Sequence, residues 1–350
     1  MLDALFIQRC LELASLGAGN VSPNPMVGAI LVHEGKIIGE GWHQKWGEAH
    51  AEVNCLRSVS PENQALIPYS TLYCNLEPCS HHGKTPPCAD LILEHKIPRV
   101  VIANLDPNPL VAGAGLARLR ESGVEVLEGV LEEAGKWLNR VFFSWISQNR
   151  PYVILKWAQT RDGFLGKSGE QTAISGPVAL RLLHRWRSAC DAILVGSRTA
   201  LIDNPRLDVR YYRGKNPVRI VLDTQGKIPE SHHIMDDSID TLIFGPDKAL
   251  NKIPALSRTK YFPAEGMVPT PRILEALKEA GLASLLVEGG ALVLNKFVED
   301  EHWDEIRVIE NKRYLGAGVQ APKLPKNAVL HTEFEVGADL VRIFVRNQAS

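Results

Sequence analysis

Pro78-Cys79-Ser80-His81-His82-Gly83-Lys84-Thr85-Pro86-Pro87-Cys88, taken with His50-Ala51-Glu52 upstream, is the stretch around which the first half of the chain is organised. One histidine and two cysteines fit three of the four positions of a tetrahedral Zn²⁺. A fourth position left to water is the arrangement of a catalytic site. A structural site would close it with a protein ligand, and His81 or His82 stands in the same stretch to supply one. Glu52 favours the catalytic reading. On a helix, residues two apart point about 200° from each other. In the first turn, however, His50 and Glu52 both reach a pocket over the helix N-terminus. A carboxylate near the metal but off it is what a hydrolytic site needs to move protons.

Alternating elements surround this set. Residues 2–16 carry apolar side chains at helical spacing and end at Gly17 and Gly19. The rigid loop Ser22-Pro23-Asn24-Pro25 leads into a hairpin of residues 26–32 and 36–42. A helix is expected over 50–59, a strand over 70–76, and a helix opened by Pro86 near Cys88. A strand over 100–105 runs into Asp106-Pro107-Asn108-Pro109. A helix over 115–122, a strand over 124–127 and one long helix over 131–146 complete an α/β pattern. Gly113-Ala114-Gly115 begins like a dinucleotide fingerprint. It lacks the third glycine and follows a loop, so it reads as a turn and a helix start.

At 350 residues, 45% apolar and 23% charged, the chain exceeds one hydrophobic core. Its 39 Lys and Arg against 40 Asp and Glu leave a net charge of −1, without the basic excess of a nucleic-acid binder. No basic, then apolar leader opens the sequence, and no apolar run is long enough for a bilayer. A cytoplasmic protein with no membrane and no nucleic-acid partner is expected. Its six cysteines then read as thiols or ligands rather than disulfides, with Cys10, Cys55 and Cys74 as packed thiols. Ser147-Gln148-Asn149-Arg150-Pro151 is the expected boundary, giving domains 1–148 and 149–350.

In the second half, residues 152–157, 192–195, 218–223, 241–244, 284–287, 306–310 and 340–345 read as strands. Residues 180–188, 272–280 and 292–298 read as helices. The informative feature is a strand, then Glu288-Gly289-Gly290, then a helix. Glycines at a helix N-terminus let backbone N–H groups approach a phosphate. On spacing alone the same residues read equally well as a tight turn. No Gly-x-Gly-x-x-Gly occurs in this half, which disfavours a Rossmann domain. Arg187 and Arg210 are fork-shaped donors suited to phosphate, and each taken singly reads as readily as a surface cation.

His-Ala-Glu followed by Pro-Cys and a later Cys resembles the cytidine deaminase superfamily, most of whose members place the two Cys two residues apart. The eight residues between Cys79 and Cys88 are similar to those of the riboflavin-pathway pyrimidine deaminases. So are Asn24-Pro25 with Val27-Gly28, Gly41-Trp42-His43 and Asp106-Pro107-Asn108-Pro109. The resemblance implies an N-terminal cytidine-deaminase-like three-layer domain holding one Zn²⁺ per chain. His50, Cys79 and Cys88 would be its ligands and Glu52 its proton shuttle. Asn24, His43, His82, Lys84 and Asp106 would line the substrate pocket, where Lys84 suits a 5′-phosphate.

The second half resembles the reductase domain of the bifunctional riboflavin-pathway enzymes, similar in fold to dihydrofolate reductase. Lys156 with Asp162-Gly163, Ser168-Gly169-Glu170, Val195-Gly196-Ser197-Arg198-Thr199, Asp203-Asn204-Pro205 and Glu288-Gly289-Gly290 carry the likeness. It departs at Ala173, where relatives can carry an aromatic. The resemblance implies NADPH against Ala158, Ala173, Thr199, Asp203 and the run Gly290, Ala291, Leu292, Val293, Leu294, Asn295 and Lys296. It implies substrate contacts from Lys156, Gln171, Arg187, Leu207, Arg210 and Glu288, with Lys156 or Asp203 handling the proton of the reduction.

The expected reactions are zinc-dependent hydrolytic deamination of 2,5-diamino-6-ribosylamino-4(3H)-pyrimidinone 5′-phosphate, then NADPH-dependent reduction of the ribosyl side chain of 5-amino-6-(5-phosphoribosylamino)uracil to ribityl. A homo-oligomer is expected, acting on this small phosphorylated pyrimidine. Two rivals stand. A nucleic-acid deaminase predicts a basic, aromatic-lined channel, which the charge balance and the cysteine spacing oppose. A non-enzymatic zinc scaffold predicts loss of Glu52 or of a ligand, and all four residues are present.

Overall fold

The computed structural model describes residues 2–80, 87–108, 112–246 and 257–347. The chain divides into two units, Met1–Asn149 and Arg150–Ser350.

The first unit runs α1 (Leu2–Ser15), β1 (Gly28–His33), β2 (Lys36–Trp42), α2 (Ala51–Arg57), a 3₁₀ segment (Pro61–Tyr69), β3 (Thr71–Leu76) and α3 (Cys88–Glu94). It continues with β4 (Arg99–Asn104), α4 (Ala114–Glu121), β5 (Glu125–Leu127), α5 (Glu132–Leu138) and α6 (Arg140–Gln148). The sheet order is β2-β1-β3-β4-β5. The β1–β2 and β1–β3 pairs are antiparallel, and β3–β4 and β4–β5 are parallel.

Strand alternation sends successive side chains to opposite faces. Ile30, Val32, Tyr73, Val101 and Ala103 pack with Ile7, Cys10, Leu11 and Leu13 of α1. Their neighbours Ala29, Leu31, Leu72, Cys74, Val100 and Ile102 pack with α2, α3 and α4. The result is the expected three-layer domain. Cys10, Cys55 and Cys74 are fully buried, as packed thiols should be.

The single long helix expected over 131–146 is two helices. The break falls at Asn139, whose side chain both accepts the Met26 N–H at 2.8 Å and donates to the Met26 carbonyl at 2.9 Å. Those two bonds hold Asn139 facing the loop before β1, and helical periodicity carries no trace of them.

The second unit contains β6 (Tyr152–Thr160), β7 (Phe164–Gly166), α7 (Pro177–Ala189), β8 (Ala192–Gly196), α8 (Ser197–Asp203), β9 (Val218–Leu222), β10 (Thr241–Gly245) and β11 (Thr259–Pro263). It ends with α9 (Thr270–Glu279), β12 (Ser284–Val287), α10 (Ala291–Glu299), β13 (Glu305–Asn311), β14 (Val319–Gln320), β15 (Ala328–Val336) and β16 (Asp339–Arg346). Among the described residues nine strands form one sheet, ordered β11-β10-β9-β8-β12-β6-β13-β16-β15. Its members from β11 to β13 are parallel, and β16 and β15 are antiparallel additions. Strand β6 runs on to Thr160, beyond the end at residue 157 expected from the sequence. Val153, Leu155 and Trp157 of β6 share a core with Ile273, Leu277, Leu294 and Phe297 from α9 and α10.

Candidate functional site

In the first unit, three elements bring the ligand set together. His50 is the N-cap of α2, Cys79 follows β3, and Cys88 is the first residue of α3. His50 Nδ1 lies 3.6 Å from Cys79 Sγ and 3.3 Å from Cys88 Sγ, and the three donor atoms fall within 4.8 Å of one another. The Cys88 backbone N–H donates to Cys79 Sγ at 3.3 Å. A thiolate gains from such N–H donors. The Cys79 thiol is pushed down to about 4, by its hydrogen bond with Cys88 first and by His50 after it. Cys88 is pushed the other way, by its hydrogen bond with Cys79 first and by burial after it.

Glu52 is 3% exposed. Burial first, and the charge on Cys79 next, raise its carboxyl above the ordinary range, and it hydrogen-bonds the Cys88 thiol. Two sulfurs and one ring nitrogen in contact, beside a buried carboxylate, are a donor set that fits Zn²⁺ with one position to spare. Among the described residues no fourth ligand joins the cluster. His81, His82 and Lys84 lie outside the described residues.

Two expected pocket residues meet. Asn24 Nδ2 and His43 Nε2 are 3.5 Å apart, while His43 Nδ1 faces the Ala49 carbonyl at 3.1 Å. Burial lowers the pKa of His43, which favours the neutral ring. It packs edge-on to His50 with ring centroids 5.8 Å apart. The fully buried Asn75 fixes the Asn24 loop from below, accepting the Gly28 N–H at 2.7 Å and donating to the Met26 carbonyl at 3.0 Å. Asp106 sits just past β4, where its backbone N–H bonds Glu77 Oε2 at 3.2 Å and its carboxylate accepts the Asn108 N–H at 2.8 Å.

No motif or spacing in the sequence marks Glu77. Its buried carboxylate also accepts N–H groups from Gly113 at 3.0 Å, Gly115 at 3.1 Å and Leu116 at 3.4 Å. The Gly113-Ala114-Gly115 helix start is therefore occupied by an internal anion.

In the second unit, glycines at two strand-to-helix junctions border a cavity of about 540 Å³, a size that suits an organic cofactor. Gly196 caps α8 and Gly290 caps α10. A Cβ at Gly290 would lie 3.1 Å from Thr199 Oγ1, and one at Gly196 would lie 2.8 Å from Val293 Cγ2, so the junctions pack closely. Of the expected cofactor residues, Thr199, Asp203, Gly290, Ala291, Leu292, Val293 and Lys296 line the cavity. Leu294 does not line it and is fully buried in the core. Ala158 and Asn295 are also outside the lining, and Ala173 offers its carbonyl to Arg313. The cavity adds Leu222, Thr224, Gln225 and the segment Gly266-Met267-Val268. Leu222 ends β9 and the others follow β9 and β11, where no glycine pair or charge pattern marks them. The junction N–H groups suit the phosphates of NADPH, while the Lys296 ammonium is held by Asp300 at 2.6 Å.

None of the expected substrate residues, Lys156, Gln171, Arg187, Leu207, Arg210 and Glu288, lines this cavity, though Gln171 stands in the chain between Glu170 and Thr172, which do. Arg187 grips Glu288 with both prongs, Nε to Oε1 and Nη2 to Oε2, each at 2.9 Å. The fork expected to be open for a phosphate is thus engaged internally. Arg210 is exposed and pairs with Asp208. Burial would raise the Glu288 carboxyl, but Arg187 and then Lys156 outweigh it and hold the pKa down. Lys156 is itself lowered, by burial first and by Arg187 after it. Gln171 Nε2 reaches the Asp203 carbonyl at 3.5 Å, and Leu207 is buried.

A model of the RibD C-terminal domain matches residues 151–337, and one of the cytidine and deoxycytidylate deaminase zinc-binding region matches residues 2–104. The riboflavin biosynthesis protein RibD of Aquifex aeolicus is 39% identical over 322 residues, covering 91% of this chain and 89% of its own. That of Escherichia coli is 34% identical over 332 residues, covering 91% and 89%. The crystal structure of a diaminohydroxyphosphoribosylaminopyrimidine deaminase/5-amino-6-(5-phosphoribosylamino)uracil reductase from Thermotoga maritima superposes with a TM-score of 0.90 at 34% identity, covering 99% of each chain. Acinetobacter baumannii RibD superposes at 0.87 and 30% identity, covering 99% of each. The chain belongs to the RibD family, the bifunctional deaminase–reductases of riboflavin biosynthesis that use zinc and NADPH.

Proposed function

We propose that residues 1–148 hydrolyse the 2-amino group of 2,5-diamino-6-ribosylamino-4(3H)-pyrimidinone 5′-phosphate, and that residues 149–350 reduce the ribosyl chain of the deaminated product to ribityl. The observation that carries the reading is the meeting of His50, Cys79 and Cys88 with a buried Glu52. Zn²⁺ held there supplies a Lewis acid and an activated water. Glu52 would take the water's first proton at its carboxylate and pass it to the ring nitrogen, then carry the proton of the new C–OH to the amine, which leaves as ammonia when the C–N bond breaks. The neutral His43, with Asn24, orients the ring. His82, Lys84 and Asp106 complete this pocket in our reading.

In the second unit the cavity at Gly290 and Thr199 holds NADPH, which supplies the reducing equivalent. Lys156 and Glu288 position the sugar, and Arg210, exposed at its edge, meets the phosphate. Arg187 acts by keeping Glu288 ionised and in place. A homo-oligomer belongs to this reading. Edge strand β15 supports it, presenting Val329, Leu330 and Phe334 to solvent. Among the described residues no helix is long and apolar enough to cross a membrane, which supports a cytoplasmic enzyme.

Incubating the purified chain with the diamino substrate, with and without NADPH, and identifying products by mass tests the whole. The deaminated ribosyl compound is expected alone, and the ribityl compound once NADPH is added. Unchanged substrate in both would overturn the reading.

A further inference from the structure

We propose that His184 is a positioning residue of the reductase site: its ring Nδ1 accepts the Arg210 backbone N–H and so sets where Arg210 presents its guanidinium to the substrate phosphate. The inference rests on the reading of Arg210 given above.

Three consecutive residues of the segment before β9 are each tied down by a side chain. Arg187 Nη1 donates to the Asp208 carbonyl at 3.2 Å, Asn216 Oδ1 accepts the Val209 N–H at 2.8 Å, and His184 Nδ1 accepts the Arg210 N–H at 3.1 Å. His184 and Arg187 are one turn apart on α7 and so share a face. One helix face therefore holds both Glu288 and the Arg210 segment in a common frame. The far end of the segment closes on the same helix. A Cβ at Gly214 would lie 2.5 Å from Ser188 Cβ.

The choice of histidine is informative. The residue is fully buried, and its Nε2 has no hydrogen-bond partner among the described residues. A side chain serving packing alone would not leave a buried N–H orphaned. What the ring offers instead is an acceptor nitrogen. That acceptor exists only while the ring is neutral, and burial, then Arg187 and Arg210, hold its pKa at about 4. A second path runs through Tyr211, whose ring meets the His184 ring edge-on at 4.9 Å and lies 5.1 Å under the Arg210 guanidinium.

The test measures reductase kinetics on the deaminated substrate, with and without its phosphate, in five full-length variants. In His184→Asn an amide oxygen takes the place of Nδ1, and near wild-type kinetics are expected. His184→Leu lacks the acceptor, and His184→Gln misplaces it while keeping a polar side chain should the leucine variant fail to fold. Both are expected to raise the KM for the phosphorylated substrate about tenfold, with kcat and the NADPH KM within about twofold, the signature of lost substrate binding. On the dephosphorylated substrate they should match wild type. Arg210→Gln should reproduce the defect, and adding His184→Gln to it should change nothing further, because the two act through one contact. Equal losses on both substrates, or additive effects in the double variant, overturn the proposal. Normal kinetics for Arg210→Gln would instead sink the phosphate role assigned to Arg210. A defective Arg210→Gln beside a normal His184→Gln would sink the His184 inference alone.

Discussion

Arg187 and Glu288 form a two-pronged ion pair whose side chains are each only 9% exposed. Breaking such a pair by removing one partner leaves an uncompensated buried charge. Arg187→Met should destabilise the protein by about 3–5 kcal/mol. Replacing both residues with apolar ones of similar volume should recover much of that stability while abolishing reduction. Denaturant titration of wild type and the two variants checks the order. A single variant as stable as wild type would show that the pair is solvated.

Glu52→Gln should retain one zinc per chain by elemental analysis, since Glu52 is no ligand, yet lose ammonia release by about 10²–10⁴-fold. Amide for carboxylate keeps the shape and removes the base. Full activity in this variant would remove the proton shuttle from the mechanism.

Much of this was legible because strands and metal ligands leave strong local signals. Ser284–Val287 is an apolar run between a helix and a glycine pair, and β12 spans the same residues. His50, Cys79 and Cys88 are residue types with few other reasons to recur in this order. What stayed hidden depends on partners distant in sequence. Asn139 breaks a helix for the sake of Met26, 113 residues away. Glu77 caps a helix start 38 residues on. Edge strand β15 is exposed along nearly its whole length, so no alternation of apolar residues betrays it. Arg187 looked like a free fork because its carboxylate partner lies 101 residues later.

Removing the metal should separate the two activities. Each ligand set lies within one unit, so Cys88→Ser, or a chelator, should abolish ammonia release. NADPH oxidation on pre-deaminated substrate should stay within about twofold, because only transition-state contacts of the first site are lost. An equal fall in both activities would mean that the two reactions share a site.

Glu77→Ala should strip acceptors from four backbone N–H groups at once. Hydrogen bonds to charged groups contribute about 1.5–3 kcal/mol each, so even partial rescue by water leaves a loss of at least about 2 kcal/mol. Amides 113–116 should lose hydrogen-exchange protection first. Unchanged protection there would mean that α4 holds its own N-terminus.

Gly290→Ala tests whether the cavity is a cofactor site. The backbone at Gly290 has φ −61 and ψ 175, which any residue adopts, so the fold should tolerate the change. The new Cβ would sit 3.1 Å from Thr199 Oγ1, at the point where both junctions border the cavity. Crowding there should raise the NADPH KM on the order of tenfold, about 1.4 kcal/mol of binding. The KM for the pyrimidine should hold, because Lys156, Glu288 and Arg210 are untouched. A variant with normal NADPH affinity, or with the defect on the pyrimidine side alone, would place the cofactor elsewhere.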